Sequence, residues 1–245
     1  MSETPIADST YTKGEYFRDA TRHKEDASFK SRAFVDLLLR NTNRLGTTIE
    51  SYADVGCGSG DVAKLIVGLL QDSGLNLKRA KAYDVSPHVT YLRDPRIEFV
   101  HQDFRYSDES VDLVTLFDVF EHVPEPIAFL KSVALRCKVL GLHIPLDNSI
   151  SNAARNKFRS LLHDPGHLIF MDTAFALNLL ALAGLRVIDF DYTYSFRAPS
   201  GHRSLRSRLL FPVRMLLGRA SPWLLSKLTG GASLIVIART QQRLE

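Results

Sequence analysis

The sequence predicts an α/β fold in which a mostly parallel sheet carries helices on both faces. Short apolar runs alternate with helical patterns along the chain, as expected for parallel strands joined by helical crossovers. Three glycines at a spacing of two separate the first apolar run from the first amphipathic helix, a turn typical of such sheets. The last two of seven runs lack a clear helical crossover, which favours an antiparallel pair at one edge.

The seven predicted strands cover residues 51–55, 80–85, 97–102, 111–117, 138–144, 186–194 and 232–239. The first crossover helix is indicated by apolar residues at helical spacing, which are Val62, Leu65, Ile66, Leu69 and Leu70. Further helices are predicted from Asp26 to about residue 41, from Pro126, and from an Asp172 cap to about Ala183. The last of these is apolar nearly all round, which predicts deep burial.

Length and composition indicate an ordinary globular protein. The chain has 245 residues, of which 45% are hydrophobic and 24% are charged. Its two cysteines, Cys57 and Cys137, lack metal-like spacing, and we find neither a signal-peptide pattern nor an apolar run of membrane-spanning length. We therefore expect a reduced, cytoplasmic protein. We also expect the chain to divide into a helical segment at 1–46 and a main domain at 47–245.

The glycine turn predicts a ligand site. Gly56, Gly58 and Gly60 follow the first strand and precede a helix that begins near Asp61. Glycine accepts positive φ and lets a ligand approach the backbone, while the free N–H groups of the helix favour an anion. The third glycine lies two residues after the second, instead of the three of the dinucleotide fingerprint, and Asp54 precedes the turn. This pattern suits a ligand with an amine and a carboxylate better than a pyrophosphate.

The motif acidic-x-Gly-x-Gly-x-Gly resembles the first motif of class I S-adenosylmethionine (SAM)-dependent methyltransferases, and the motif order extends the resemblance over about residues 25–240. The stretches "HKEDASFK", "DVFEHV", "LHIPLD", "PGHLIFMD" and "GGASLIVIA" are similar to a group of bacterial small-molecule methyltransferases. The resemblance implies a Rossmann-like, seven-stranded, mostly parallel sheet with an antiparallel edge pair. It also implies SAM as the cofactor and a small-molecule acceptor, with oxygen as the expected methylated atom.

The expected cofactor-binding residues lie at the ends of the first four strands. They are Asp54, Gly56, Cys57, Gly58, Gly60, Asp84, Val85, Asp103, Phe104 and Asp118. A carboxylate at Asp84, which closes the second strand, can accept both ribose hydroxyls. We expect Asp103 to accept from the adenine amine and Phe104 to lie against the adenine ring.

The candidate catalytic residues are Glu121, His122 and His143, and three interpretations of "FDVFEHV" remain open. These residues cap the next helix and shape the cleft, or His122 or a neighbour takes a proton from the acceptor. Alternatively Asp118, Glu121 and His122 bind a divalent metal together with His143 or His167. The string is similar to the metal ligands of some O-methyltransferases acting on ubiquinone precursors or small-RNA ends, yet relatives that need no metal share it. We therefore assign no metal ligand from the sequence.

Two segments are candidates for the acceptor side. The amino-terminal segment 1–46, with His23 and Lys30, resembles the lid helices of this fold, which cover the cofactor. The linker 146–170 contributes the basic residues Arg155, Lys157, Arg159, His163 and His167. Either segment can instead present a solvated helix face.

A basic insertion at about 197–230 has no settled role. Between 197 and 227 the chain carries seven basic residues and no acidic one, so the remainder has a net charge of −3. The insertion can lie on a membrane surface, cover a lipid-like or polyanionic acceptor, or pack on the domain. No recognised nucleic-acid module accompanies it, so we expect no nucleic-acid partner. A nicotinamide-dependent oxidoreductase, a non-catalytic scaffold and a membrane-associated binder are the rival functions.

Overall fold

A computed structural model describes residues 20–197 and 205–240, with seven strands in one sheet. The strands are β1 Ser51–Val55, β2 Arg79–Asp84, β3 Glu98–His101, β4 Val111–Phe117, β5 Cys137–Pro145, β6 Leu185–Tyr194 and β7 Ala232–Thr240. Their order is β3-β2-β1-β4-β5-β7-β6. β1 to β5 are mutually parallel, and β7 runs antiparallel to both β5 and β6. The predicted fold class is confirmed.

Two of the described helices precede β1, and the others lie in the connections between strands. The described helices are α1 Ala20–Arg40, α2 Thr42–Leu45, α3 Asp61–Asp72, α4 Pro126–Ala134, α5 Ile150–Ala154, α6 Phe158–His163, α7 Thr173–Leu182, α8 Leu205–Ala220 and α9 Pro222–Leu228. Short 3-10 turns follow β2, β3, β4 and β6. None of the helices in the described ranges is both long and apolar enough to cross a membrane.

The central strands are buried on both faces, which explains their continuous apolar sequences. Every residue of β1 and β4 is buried, because helices cover both sides of a parallel sheet. The carboxyl ends of β1 to β5 therefore meet at one edge, where an open α/β sheet binds its ligands.

Helix α1 is seated on the sheet through one aromatic side chain. The Phe34 ring is fully buried and packs edge-on against Phe117 of β4, with ring centroids 5.5 Å apart. It also occupies the space above Gly141 of β5, where a Cβ would lie 2.3 Å from the ring. Lys30 lies one helical turn earlier on the same face, so this packing places its ammonium group at the strand ends. Residues 26–40 of the proposed lid segment thus share the core of the main domain.

The prediction of deep burial for α7 is wrong. Ala176 and Leu180 are buried, but Phe175 is 47% exposed and Leu182 is 63% exposed. One face of the helix contacts the core and the other faces solvent. The apolar residues on all sides of α7 therefore reflect high helix propensity, and they do not mean that other elements surround the helix.

Candidate active site at the carboxyl ends of the strands

The glycine turn after β1 adopts the left-handed backbone that its sequence predicts. The φ angles are 74° at Gly56, 54° at Gly58 and 73° at Gly60. A Cβ at Gly56 would lie 2.7 Å from Val119, so a side chain there is excluded by space as well as by φ. The Gly56 and Cys57 N–H groups donate to the Tyr83 carbonyl at 2.8 and 3.0 Å, which ties the turn to β2.

Asp84 holds the same turn through its carboxylate. One oxygen accepts from the Gly58 N–H at 2.8 Å, and the other accepts from the Ser86 N–H at 2.8 Å. Val85, the next residue, is 55% exposed beside the turn. None of the described side chains caps α3, so its first N–H groups face the turn as an anion site.

Asp54 and Cys57 lie beneath the turn. The Asp54 carboxylate is 2% exposed and accepts from the Thr115 hydroxyl at 2.6 Å. Burial raises the pKa of Asp54 to about 7, despite the opposing Thr115 hydrogen bond. Burial also raises the pKa of the Cys57 thiol well above its usual range, so the thiol stays protonated. Both side chains support the turn from inside the domain.

The turn after β3 differs from the sequence expectation. Asp103 accepts four hydrogen bonds from Arg105, including one at 2.6 Å. These bonds outweigh burial and lower the pKa of Asp103. The Phe104 ring is 1% exposed and lies edge-on to Tyr83 with centroids 5.0 Å apart. The 3-10 turn directs Phe104 into the core and leaves Tyr106 74% exposed. The ring expected to lie against adenine is therefore a core residue.

A cavity of about 240 Å³ lies beside the ends of β4 and β5. Its polar lining includes Lys30, Asp118, His122, His143, Asp147, His167 and Thr193. The linker contributes His167, whereas Arg155, Lys157, Arg159 and His163 do not line the cavity. The side chain of His23 is outside the described residues. Of the five basic linker residues considered for the acceptor side, only His167 thus lines this cavity.

Asp118 is the centre of one polar cluster in the cavity. Its backbone has a φ of 55°, a strained conformation for a residue with a side chain. Its carboxylate accepts from Lys30 Nζ and pairs with His143 Nδ1, each at 2.5 Å. The other ring nitrogen of His143 lies 3.0 Å from the Thr193 hydroxyl.

The charges of this cluster stabilise one another. Burial alone would raise the pKa of Asp118, but His143 and Lys30 outweigh it and hold the pKa well below its usual range. Burial would likewise lower the pKa of Lys30, and the carboxylates of Asp118 and Asp26 instead raise it. Asp118 is therefore an anion and Lys30 a cation at neutral pH.

Glu121, His122 and His167 form a second cluster, with ligand-type atoms within 4.8 Å of one another. Both Glu121 oxygens are buried, and no described group donates a hydrogen bond to either. His122 Nδ1 lies 2.9 Å from the Gly166 carbonyl, and His167 Nδ1 lies 2.5 Å from Asp147. Burial and the neighbouring His167 lower the pKa of His122 to about 4. Burial and the Asp118 charge raise the pKa of Glu121 above its usual range.

The family model for methyltransferase domains matches residues 25–189. The chain belongs to the methyltransferase-domain family. Over 112 residues it is 28% identical to the ubiquinone biosynthesis O-methyltransferase of Aliivibrio fischeri (strain MJ11), a match covering 42% of this chain and 45% of the relative. The match to the enzyme of the same name from Pasteurella multocida (strain Pm70) is also 28% identical and covers 43% of it. The chain thus matches less than half the length of these curated relatives.

Solved structures agree on the fold of this methyltransferase domain. Magnesium protoporphyrin IX methyltransferase from Synechocystis PCC 6803, with bound S-adenosylhomocysteine (SAH), gives a TM-score of 0.57 at 16% identity. The superposition covers 96% of this chain and 98% of that one. The [4+2]-cyclase SpnF, also 16% identical, gives a TM-score of 0.53 over 86% of this chain and 80% of its own. Because the same fold carries both reactions, the site must decide the chemistry.

The structure sorts the predicted catalytic residues of the methyltransferase domain into the two clusters. Asp118 and His143 pair with each other, while Glu121 and His122 join His167. Sequence reasoning missed Asp147 and Thr193. Asp147 follows the proline that ends β5 and so lies at the ligand-facing edge, a signal available in "LHIPLD". Thr193 is fifty residues from its partner His143, and no local pattern marks it.

A broader depression lies at the opposite, amino-terminal ends of the strands. Its most buried carboxylate, Asp112, accepts from the Ser51 N–H and hydroxyl and pairs with Lys138 at 2.7 Å. These groups satisfy one another, and parallel sheets do not present their ligand sites at this edge. We therefore assign the active site to the carboxyl ends.

Proposed function

We propose that this chain is a SAM-dependent methyltransferase that methylates an oxygen of a small molecule. The observation that carries the proposal is the acidic-x-Gly-x-Gly-x-Gly turn with three left-handed glycines, bound to β2 and facing the amino terminus of α3. Family membership and the names of the curated relatives support methyl transfer, and those names support oxygen as the acceptor atom.

The turn suits the amino-acid part of SAM. The first N–H groups of α3, which no described side chain caps, would hold its carboxylate, while Gly56 and Gly58 leave room for the chain. Asp84 retains lone pairs for the ribose hydroxyls, since each of its carboxylate oxygens accepts one backbone N–H hydrogen bond. We assign Asp103, Val85 and Tyr106 to the neighbourhood of the base because they follow β2 and β3 at the same edge.

The acceptor cavity supplies positioning and a proton acceptor. Bound SAM supplies a methyl group on a sulfonium, so the protein needs to align the acceptor and remove its hydroxyl proton. We assign His122 to accept that proton because its side chain lines the cavity. Its pKa of about 4 keeps the ring neutral at pH 7 but makes it a weak base, so the assignment rests on its position. Both ring nitrogens of His143 already have partners, Asp118 at Nδ1 and Thr193 at Nε2. We therefore assign His143 a structural role, in which it holds the Thr193 side chain in the cavity wall.

Transfer of labelled methyl groups from SAM into small-molecule extracts tests this function. We expect the wild type to label an extracted metabolite, and His122→Ala to lower turnover by roughly 10²–10⁴-fold at unchanged SAH affinity. His163→Ala, which lies outside the cavity, is the matched control and should retain activity. Full turnover in His122→Ala would refute the assigned proton acceptor, and failure of every extract to take label would refute oxygen methylation of small molecules.

A cation at the Glu121 cluster is the alternative to His122 acting as the proton acceptor, because Nδ1 of His122 lies against the Gly166 carbonyl and both roles need Nε2. The buried Glu121 carboxylate favours this alternative. Glu121, His122 and His167 are suitable ligands, and the Nδ1 contacts of both histidines orient the rings as in metal sites. Two buried oxygens without described donors are costly, and a divalent ion would satisfy them. Such an ion would bind an acceptor oxygen and favour its deprotonated form.

Thermal unfolding of chelator-treated protein tests the cation site. Zn²⁺ or Mn²⁺ should raise the melting temperature of the wild type, because a ligand of the native state stabilises it. Glu121→Gln should abolish this rise, whereas the exposed control Glu98→Gln should keep it. An equal rise in both variants, or none in the wild type, would rule out this site.

We further propose that the described part of the predicted lid segment 1–46 covers the acceptor side, since Asp26, Phe29 and Lys30 line the cavity. The main domain then extends over 47–245. We place the enzyme in a bacterial cytoplasm on the basis of its free cysteines and its curated relatives.

A further inference from the structure

We propose that the basic insertion docks on an anionic lipid bilayer, as an addition to the proposed enzymatic function. The relevant surface, which we call the docking surface, consists of the described side chains of residues 210–228 on α8 and α9. Its residues combine exposed apolar groups with an excess of positive charge.

The docking surface exposes large apolar side chains on the face away from the domain. One side of α8 and α9 packs on the core through Leu225, Phe211 and Met215. The other side exposes its apolar residues, with Leu210 48% exposed, Val213 52%, Leu216 71% and Trp223 52%. A helix that merely packed on the domain would present polar residues there. Leucine and tryptophan at a surface are instead typical of helices that lie in a membrane interface.

The charge of the insertion identifies the kind of bilayer. Between 197 and 231 the sequence has seven basic residues and no acidic residue, and three of the seven, Arg214, Arg219 and Lys227, belong to the docking surface. Arg219 is exposed and is the charge available to headgroups, whereas the Arg214 guanidinium lies 5.8 Å from the buried Phe196 ring and Lys227 pairs with Asp172 at 2.5 Å. Basic residues next to exposed apolar ones complement anionic headgroups above a hydrocarbon layer. A bound nucleic acid would pair with the basic residues, but unlike a bilayer it would leave the exposed leucines in water.

The insertion starts and ends at the acceptor cavity. It leaves the sheet after β6 and returns at β7, where the Ser195 N–H donates to the Gly231 carbonyl at 2.9 Å. Ser195 and Gly231 both line the cavity. Docking would therefore bring the cavity close to the membrane.

Trp223 is the sole tryptophan of the chain and reports directly on docking. Vesicles of phosphatidylglycerol and phosphatidylcholine should shift its fluorescence to shorter wavelength and shield it from acrylamide, because the ring enters a less polar medium. Vesicles of phosphatidylcholine alone should leave the spectrum unchanged. No shift with anionic vesicles, or an equal shift with both kinds, would overturn the proposal.

Paired variants separate the apolar and electrostatic contributions. Leu216→Ser should raise the lipid concentration for half-maximal binding by about fivefold, and Arg219→Glu by about fivefold or more. Leu135→Ser and Arg32→Glu change equally exposed residues elsewhere and should leave binding unchanged. If the controls weaken binding as much, or if single-stranded RNA displaces the vesicles and binds Leu216→Ser as well as the wild type, a general polyanion site replaces the membrane surface.

Discussion

At the scale of single residues, the buried carboxyl of Asp54 beneath the glycine turn makes the stability of the fold depend on pH. The sequence predicts its position at the end of β1, but its contacts come from Thr115 on the neighbouring strand β4. Its pKa rises from 3.8 to about 7, so between these values the folded protein keeps a proton that the unfolded chain releases. The Asp54 contribution to stability therefore becomes less favourable as pH rises from about 4 to 7.

Asp54→Asn removes this titration and tests its sign. The wild type should lose stability between pH 5 and pH 8, whereas the variant has no titrating group at this position. The unfolding free energy of the variant minus that of the wild type should therefore be about 2–3 kcal/mol larger at pH 8 than at pH 5. Urea unfolding at the two pH values measures the difference. Asp72→Asn, at an exposed site in α3, should show no such gain. A constant difference between wild type and Asp54→Asn at both pH values would contradict the raised pKa.

Residue-scale reasoning from sequence succeeds where the signal is local. The glycines, Asp84 and Asp118 each follow a recognisable strand, and the structure places them at the predicted edge. Phe104 differs because the direction of its ring depends on a 3-10 turn and on packing against Tyr83. Its spacing in the sequence carries no information on that direction.

At the scale of elements, the contact between α1 and the sheet positions the acceptor side. Phe34 fills the space above Gly141, and Lys30 reaches Asp118 from the same helix face. A side chain at residue 141 would push the ring and the whole helix away from the strand ends. The predicted strands β1 and β4 agree with the structure in both bounds, because buried runs end at clear turn residues.

Gly141→Ala tests this arrangement. We expect a loss of about 1–3 kcal/mol in unfolding free energy, because the new Cβ would lie 2.3 Å from an aromatic ring without room to move. Gly68→Ala in α3 is the matched control, since its Cβ meets only the mobile end of Arg96 and alanine favours a helix. Chemical denaturation compares the two. Equal stabilities would mean that α1 is not held by this contact.

At the scale of the whole molecule, the topology and the cofactor edge could be predicted, whereas the acceptor site could not. Alternating strands and helices specify the sheet, and the glycine turn specifies which edge binds. The two polar clusters instead join residues far apart in the chain, such as His122 with His167 and His143 with Thr193. Such pairings depend on the relative placement of linker, sheet and α1, which periodicity does not encode.

Calorimetric titration of the purified wild-type chain with SAH tests the central claim most directly. We expect one site per chain, formed by the glycine turn, Asp84 and the uncapped amino terminus of α3. The dissociation constant should be micromolar, which corresponds to a binding free energy of about −7 to −8 kcal/mol. NAD should give no heat, because the third glycine is two residues from the second. Absence of SAH binding up to millimolar concentrations in a folded sample, or tighter binding of NAD, would contradict the assignment.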